Sequence, residues 1–227
     1  MSHSGEEDDK ASHQRQSFLE GEGDKWFARN SGSDIAPYMK TALDTILTFV
    51  QPESRILEIG CANGRNLAYM NAARPGLRCF GVEPSGAAVK AAQQLYPSLD
   101  VQQGTADSLP YQAATFDLVF FGFCLYLVDR DLLYGAVAEA DRVLRDNAFL
   151  SIVDFDPVAA RKRPYQHREG VFSFKTDYSR LFLASGHYSI AHKHSYSHRG
   201  SEFQLDPGER VATVVLYKSV HAGYFLE

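Results

Sequence analysis

The stretch RILEIGCANGRNL, residues 55–67, decides the fold of this chain. Its apolar run predicts a buried strand, GCANG predicts a turn, and the pattern after it predicts the start of a helix. Gly60 can adopt backbone angles that other residues resist, and Gly64 lets the helix pack closely against the strand. Glu58 is unusual, because a carboxylate near the end of a buried strand is costly without a positive partner. The stretch therefore predicts an element that cradles a nucleotide-like ligand.

The spacing Glu58-x-Gly60-x-x-x-Gly64 resembles the first motif of the class I S-adenosylmethionine-dependent methyltransferases. The second glycine of that motif is Ala62 here, which is a departure from the pattern. The resemblance implies that S-adenosyl-L-methionine is the cofactor, with its methionine end near Glu58, and that S-adenosyl-L-homocysteine is the product. A structural alternative stays open, in which Glu58 caps or pairs and the glycines only form a turn.

The composition is that of an ordinary globular protein. The chain has 227 residues, of which 44% are hydrophobic and 22% charged, with a formal net charge of −5. No uniformly basic surface follows from this charge, so we expect no nucleic-acid partner. Cys61, Cys79 and Cys124 have no paired spacing, which indicates a reducing compartment and neither zinc nor disulfides. No leader and no apolar run of membrane-spanning length is present, so we expect a cytoplasmic protein without a membrane partner.

Strands and helices alternate over most of the chain. Strands are predicted at residues 55–59, 77–82, 99–103, 116–121 and 149–153, and helices at residues 35–50 (with Asp34 as N-cap), 63–73, 85–95 and 129–144. After Asp154 the pattern predicts a solvated basic loop (160–170), a short helix (177–184) and two antiparallel strands (187–196 and 210–218). We therefore predict an α/β fold, a Rossmann-like parallel sheet with helices on both faces, closed by a C-terminal antiparallel hairpin.

The N-terminal part of the chain divides into two segments of different composition. Residues 1–17 are polar and predicted to be a disordered tail, and residues 220–227 a loose tail at the other end. Residues 18–50 are predicted to be a lid or helical segment, and residues 51–219 the methyltransferase domain. The rings of Phe18, Trp26 and Phe27 indicate either a lid over the cofactor or a structural staple to the core, and the two readings are compatible.

Several side chains stand at strand ends, where open α/β sheets bind ligands. Glu83 follows the turn by about 20 residues, the position of an acid that accepts hydrogen bonds from ribose hydroxyls. Asp107, with Ala106 beside it, resembles the family position that binds the adenine amino group. The predicted cofactor-binding residues are Trp26, Phe27, Arg29, Glu58, Gly60, Ala62, Asn63, Gly64, Glu83, Pro84, Ser85, Ala106, Asp107 and Phe121.

Two other classes of protein are alternatives to a methyltransferase. The dinucleotide fingerprint of an NAD-dependent oxidoreductase is Gly-x-Gly-x-x-Gly, whereas the turn here is GCANG preceded by Glu58. A carboxylate there would repel a diphosphate but suits the cationic end of a sulfonium amino acid. The second alternative is a protein that binds S-adenosylmethionine without catalysis.

The sequence carries fewer signals for the methyl acceptor than for the cofactor. FFGFCLYL, residues 120–127, indicates an aromatic-lined pocket for a small molecule, and we expect transfer of a methyl group to a hydroxyl or amine of a sugar or natural-product-like acceptor. Peptide and protein acceptors stay open. Asp154, Tyr126 and His167 are the catalytic candidates, each with a structural role as the alternative. No ligand spacing indicates a metal.

Overall fold

The structure is a computed structural model that describes residues 13–32, 34–200 and 202–221. Most of the tail predicted at residues 1–17, and most of the one predicted at 220–227, lies outside the described residues. In chain order the elements are α1 (His13–Ser17), a π-helical turn (Phe18–Glu22), α2 (Gly23–Asn30), α3 (Pro37–Leu47), β1 (Arg55–Ile59), α4 (Arg65–Ala73), β2 (Arg78–Glu83), α5 (Gly86–Leu95), β3 (Asp100–Gln103), β4 (Phe116–Gly122), a 3₁₀ turn (Leu125–Leu127), α6 (Leu133–Val143), β5 (Leu144–Phe155), β6 (Arg161–Pro164), β7 (Phe172–Lys175), α7 (Ser179–Leu183), β8 (Tyr188–Ser197) and β9 (Arg210–Lys218).

The main sheet has the strand order β3-β2-β1-β4-β5-β9-β8. Neighbouring strands from β3 to β5 pair in parallel, whereas β9 pairs antiparallel with both β5 and β8. A separate antiparallel pair is formed by β6 and β7. The predicted Rossmann-like parallel sheet with a closing antiparallel pair is confirmed.

Alternation along the central strands gives the sheet an apolar layer on each face. On β1, Ile56 packs with α3, α4 and α5, whereas Leu57 and Ile59 pack on the face covered by α6 and α7. On β4, Phe120 and Phe121 likewise belong to opposite layers. Glu58 shares the parity of Ile56, so its side chain points toward the α4 face.

Several boundaries differ from the sequence prediction. α3 begins at Pro37 with Ala36 at the N-cap, so the prediction of Asp34 as the cap is wrong. Proline suits the first helical turn because its missing N–H has no intrahelical partner there. The predicted helix at 129–144 begins later, at Leu133, and β5 follows it directly from Leu144.

The largest difference concerns the predicted basic loop at 160–170. Arg161–Pro164 forms a strand that pairs with Phe172–Lys175, which was not predicted as a strand. Regular structure also begins earlier along the chain than predicted, because His13–Ser17 is a helix and Gln14 within it is buried. The division of the whole chain into tail, lid and methyltransferase domain stays a prediction. The described part of the chain contains no helix both long and apolar enough to cross a lipid bilayer.

Candidate active site

The carboxyl ends of β1 to β4 open onto a cavity of about 140 Å³. Its walls come from the segments that follow these strands and from the π-helical turn and α2. Of the predicted cofactor-binding residues, those that line this cavity are Trp26, Gly60, Glu83, Pro84, Ala106 and Asp107. Ligands of open α/β sheets bind at this edge, so the cavity lies where the fold places its ligand.

A second cavity, of about 200 Å³, adjoins the first. The two share Trp26, Gly60, Gly122 and Phe123 as wall residues. Polar groups of the second cavity include Asn30, Asp34, Tyr38, Arg65 and Asn66, and the predicted residue Ala62 also lines it. The shared walls make the two cavities neighbouring compartments of one site.

The turn after β1 is built around Gly60. Its φ is +76°, a conformation that side-chain-bearing residues rarely adopt, and a Cβ there would lie 2.7 Å from Cβ of Cys124. Gly64 also has a positive φ, and a Cβ on it would lie 3.0 Å from Leu99 Cδ1. Glycine is therefore required at both positions. A side chain at position 60 would collide with Cys124, and one at position 64 would crowd the packing of the start of α4 against Leu99.

Glu58 is fully buried beneath the cavities. Its Oε1 accepts a hydrogen bond from Asn66 Nδ2 at 2.7 Å, while Oε2 has no partner among the described residues. Burial raises the pKa of Glu58 to about 8, with the Asn66 hydrogen bond opposing that shift. A Cβ on Gly122 would overlap Oε1, so Gly122 keeps this carboxylate in place. A buried acid with an unpaired oxygen fits a cationic ligand group at the turn.

Glu83 joins two segments of the cavity wall. Its Oε2 accepts from the Ala62 amide and its Oε1 from the Ser85 amide, each at 2.9 Å. Burial raises its pKa to about 7, against the effect of these two backbone hydrogen bonds. Ser85 in turn caps α5, with its hydroxyl accepting from Ala88 N at 3.0 Å. The carboxylate is thus held rigidly at the cavity, where each oxygen retains a lone pair for a ligand hydroxyl.

Asp107 faces the N-terminal segment, which we define as residues 13–30. Arg15 Nη1 lies 3.5 Å from Asp107 Oδ2, and the Arg15 amide donates to Asp129 Oδ2 at 2.6 Å. All three of these residues line the first cavity. An adenine amino group at Asp107 would therefore meet Arg15 as a second polar neighbour.

The N-terminal segment is tied down at two further points. The Gln14 amide nitrogen donates to the carbonyls of Leu127 and Phe172, and its oxygen accepts from Phe172 N at 3.1 Å. Asp24 Oδ1 accepts from the Ser85 hydroxyl at 2.6 Å and from Ala87 N at 3.1 Å. These hydrogen bonds hold Phe18 and Trp26 in the wall of the first cavity.

Other predicted cofactor residues lie outside both cavities. Arg29 pairs with buried Glu22 and donates to the Tyr165 hydroxyl at 3.1 Å. Phe121 is fully buried in the layer covered by α6 and α7. The rest of this group, none of which lines either cavity, is Phe27, Glu58, Asn63, Gly64 and Ser85. Their roles toward a cofactor stay predictions.

Of the three catalytic candidates, Asp154 and Tyr126 are in direct contact, and no contact joins His167 to either of them among the described residues. Asp154 is buried, accepts hydrogen bonds from the amides of Tyr126 and Phe155, and has a pKa raised by burial to about 7. Burial likewise raises the pKa of Tyr126, whose ring packs on Phe123 and Phe155. His167 is exposed between β6 and β7, with its ring against Tyr165. None of the three lines a cavity.

Phe123 lies in the stretch 120–127 that predicted an aromatic-lined pocket, although it was not among the named site residues. It lines both cavities, and its φ of +68° is uncommon for a bulky side chain. Its amide donates to Val153 O at 2.9 Å, and its ring stacks on His198 with centroids 5.0 Å apart. Gly122 belongs to the same predicted stretch, whereas Asn66 was missed as a site residue. Within the described ranges, no three His, Cys, Asp or Glu side chains are grouped so as to hold a metal ion.

Comparison with known proteins gives the class of this chain. A family model described as a methyltransferase domain matches residues 57–152. The chain is 24% identical over 157 residues to an uncharacterised methyltransferase of Synechocystis sp., covering 65% of this chain and 73% of that protein. It is 28% identical over 144 residues to an indolepyruvate C-methyltransferase of Streptomyces griseus, covering 60% of this chain and 44% of that protein. The chain thus spans less than half the length of this second relative.

A solved structure is similar over nearly the whole chain. It is the 1,6-didemethyltoxoflavin-N1-methyltransferase of Burkholderia thailandensis, solved with bound 1,6-didemethyltoxoflavin and S-adenosylhomocysteine. The TM-score is 0.72 at 17% identity, covering 97% of this chain and 93% of that one. At this identity the likeness concerns the fold.

The sheet and the cavity at its carboxyl edge define a Rossmann-like α/β protein that binds a nucleoside-bearing ligand. The domain matched over residues 57–152, the relatives and the fold together support a class I S-adenosylmethionine-dependent methyltransferase. Its cofactor is S-adenosyl-L-methionine, which is converted to S-adenosyl-L-homocysteine. The expectation from the Glu58-x-Gly60 motif is confirmed at the level of family, fold and cofactor.

Proposed function

We propose that this protein transfers a methyl group from S-adenosyl-L-methionine to a small molecule, with the adenosyl half in the first cavity and the acceptor in the second. The observation that carries this is the shared wall: Trp26, Gly60, Gly122 and Phe123 face both cavities. A transfer site needs two neighbouring compartments that meet at one point.

The residues of the first cavity fit the cofactor's polar groups. Glu83 would accept hydrogen bonds from the ribose hydroxyls, and Asp107 would accept one from the adenine amino group. Glu58, beneath the turn, would ionise as the cationic methionine end binds, because a nearby positive charge opposes the pKa rise that burial causes. Bound in this way, the cofactor supplies an electrophilic methyl group.

The chain's own contribution to the reaction is positioning and exclusion of water. Trp26 and Phe123 present aromatic faces where the two cavities meet, and such faces attract a cation. Asp154 holds the Tyr126 backbone, and Tyr126 supports the Phe123 ring. In this proposal Asp154 and Tyr126 act on the acceptor through Phe123, and His167 has no contact with the cavities.

For the acceptor we retain a hydroxyl or amine of a sugar or natural-product-like molecule. A carbon nucleophile is a second candidate, favoured because the Streptomyces relative is an indolepyruvate C-methyltransferase. An activated carbon needs no strong base from the protein, and none of the three catalytic candidates lines a cavity. The two candidates differ in the atom that carries the new methyl group.

The test has a binding step and a transfer step. Calorimetry with S-adenosylhomocysteine and NAD measures cofactor choice, and we expect micromolar binding of the former alone. Acceptors are then screened with methyl-labelled S-adenosylmethionine, and the labelled product is assigned by NMR as O-, N- or C-methylated. Tight cofactor binding without transfer to any small molecule would favour a non-catalytic binding protein, and NAD binding would favour an oxidoreductase.

A further inference from the structure

The strand β6 is exposed along its whole length. Arg161, Lys162, Arg163 and Pro164 are all exposed, although the chain as a whole carries a net charge of −5. Within the described residues, none of these three basic side chains has a carboxylate oxygen within 4 Å. Side chains alternate along a strand, so Arg161 and Arg163 share one face of β6, whereas Lys162 Nζ lies 3.9 Å from the Phe172 ring centroid on the other face. Arg161 and Arg163 therefore present two positive charges without an ion-pair partner among the described residues.

Large apolar side chains project beside this strand. Val158, just before β6, is 75% exposed, and Leu205, in the connection between β8 and β9, is 85% exposed. Phe203 in the same connection is 58% exposed, with the Arg210 guanidinium 5.0 Å from its ring. Exposure of such apolar side chains to water is unfavourable, and their transfer into an apolar environment would be favourable.

The apolar connection and the basic strand adjoin each other. A Cβ on Gly208 would lie 2.8 Å from Arg161 Nη1, which places the β8–β9 connection against β6. Two acids lie in the same connection: Asp206 accepts from Gly208 N at 2.7 Å, and Glu209 lies 4.0 Å from Lys175. We call the resulting surface the basic face, formed by Val158, Arg161, Arg163, Phe203 and Leu205.

We propose that the basic face docks this protein on a surface of anionic lipid. Positive side chains are attracted to anionic headgroups, and interspersed apolar side chains enter the boundary between headgroups and acyl chains. A nucleic acid would satisfy the charges but leave Val158 and Leu205 exposed. The proposal departs from the sequence expectation of no membrane partner, which rested on the absence of a spanning segment.

The position of the basic face connects it to the site. Tyr165, directly after β6, accepts a hydrogen bond from Arg29 of α2 and packs against Phe18 with centroids 6.4 Å apart. Phe172 of β7 is paired with Gln14. The hairpin that carries the basic charges therefore supports the N-terminal segment that walls the first cavity.

Vesicle co-sedimentation of the full-length protein tests the proposal, independently of any methyl transfer. We expect binding to vesicles of phosphatidylcholine with phosphatidylglycerol, none to phosphatidylcholine alone, and weakening by salt. Each basic side chain at such a surface strengthens binding by roughly fivefold. The R161E/R163E variant should therefore bind at least about 25-fold more weakly, and V158S/L205S should also bind more weakly.

The matched control is R78E/K90E, which makes the same charge change at exposed residues of β2 and α5. Its binding should equal that of the wild type, with unchanged circular dichroism for all variants. Failure of the wild type to bind anionic vesicles, or equal loss in R78E/K90E, would overturn the proposal. Unchanged vesicle binding by V158S/L205S would also overturn the proposal. If the protein then bound heparin or RNA through Arg161 and Arg163, the ligand of this surface would be a polyanion and not a lipid.

Discussion

The Glu83 carboxylate accepts a hydrogen bond from the backbone amide of Ala62, 2.9 Å away, and so ties the end of β2 to the turn after β1. Its other oxygen accepts from Ser85 N. One buried acid thereby fixes two segments of the wall of the first cavity. The predicted ribose contact and this structural role use the same two oxygens.

The Glu83→Ala variant should lose both roles. Loss of a hydrogen bond to a charged group costs about 1.5–3 kcal/mol, so affinity for S-adenosylhomocysteine should fall by roughly tenfold to a hundredfold. The melting temperature should also fall, because two backbone amides lose their partner. Glu83→Gln is the control, since its one acceptor oxygen should retain part of both effects. A folded Glu83→Ala protein with unchanged affinity in calorimetry would leave Glu83 a structural role only.

Stability without ligand should fall as the pH rises above about 5. Burial raises the pKa of Glu58 to about 8, and those of Glu83 and Asp154 to about 7, from ordinary values near 4. Between those values the folded state binds more protons than the unfolded state, so each group costs about 1.4 kcal/mol of stability per pH unit. Above the folded-state pKa values the slope disappears.

Thermal unfolding of the ligand-free protein between pH 5 and 9 measures this slope. Glu58→Gln removes one titrating group, so its curve should be flatter than that of the wild type, most clearly between about pH 7 and 8. A wild-type melting temperature that rises from pH 5.5 to 8 would contradict the raised pKa values.

Gly122 should not tolerate a methyl group. A Cβ at this position would overlap Glu58 Oε1 and would lie 3.4 Å from Asn66 Nδ2. Gly122→Ala must therefore displace a fully buried carboxylate, which we expect to cost about 1–3 kcal/mol of stability and to weaken cofactor binding. Gly32→Ala is the matched control, because a Cβ there meets no atom within 4 Å. Equal melting temperatures and equal affinities of the two variants would show that Glu58 is not held by Gly122.

The strand–turn–helix element was predictable because its signals are local. The apolar run of β1, the glycines of the turn and the acid at the end of β2 all follow from spacing along the chain. Phe121 shows the limit, since β4 ends at Gly122, one residue beyond the predicted end. Side chains alternate across a strand, and Phe121 points into the core on the face covered by α6 and α7, while its neighbour Gly122 lies at the cavities.

Other parts of the site depend on tertiary contacts that no local pattern carries. The positive φ of Phe123 accompanies its hydrogen bond to Val153 on the neighbouring strand. The hairpin of β6 and β7 has a run of charges in place of alternating apolar residues, so it resembled a loop. Gln14 is polar and lies in a polar stretch, and only its partners Leu127 and Phe172 explain its burial.

The N-terminal segment should act as a cover whose closure responds to the cofactor. Asp24 pins α2 to Ser85, and Trp26 lines both cavities, so ligand binding should change the emission of this single tryptophan. Asp24→Ala should weaken S-adenosylhomocysteine binding by several-fold, while Asp131→Ala, an exposed acid, serves as the control.

Deleting residues 1–12 should leave turnover intact, whereas deleting residues 1–30 should abolish it and leave the sheet folded. Because Gln14 is buried, deletion of residues 1–17 should already impair activity. Emission that ignores the ligand, with full activity after the longest deletion, would leave the segment a structural staple.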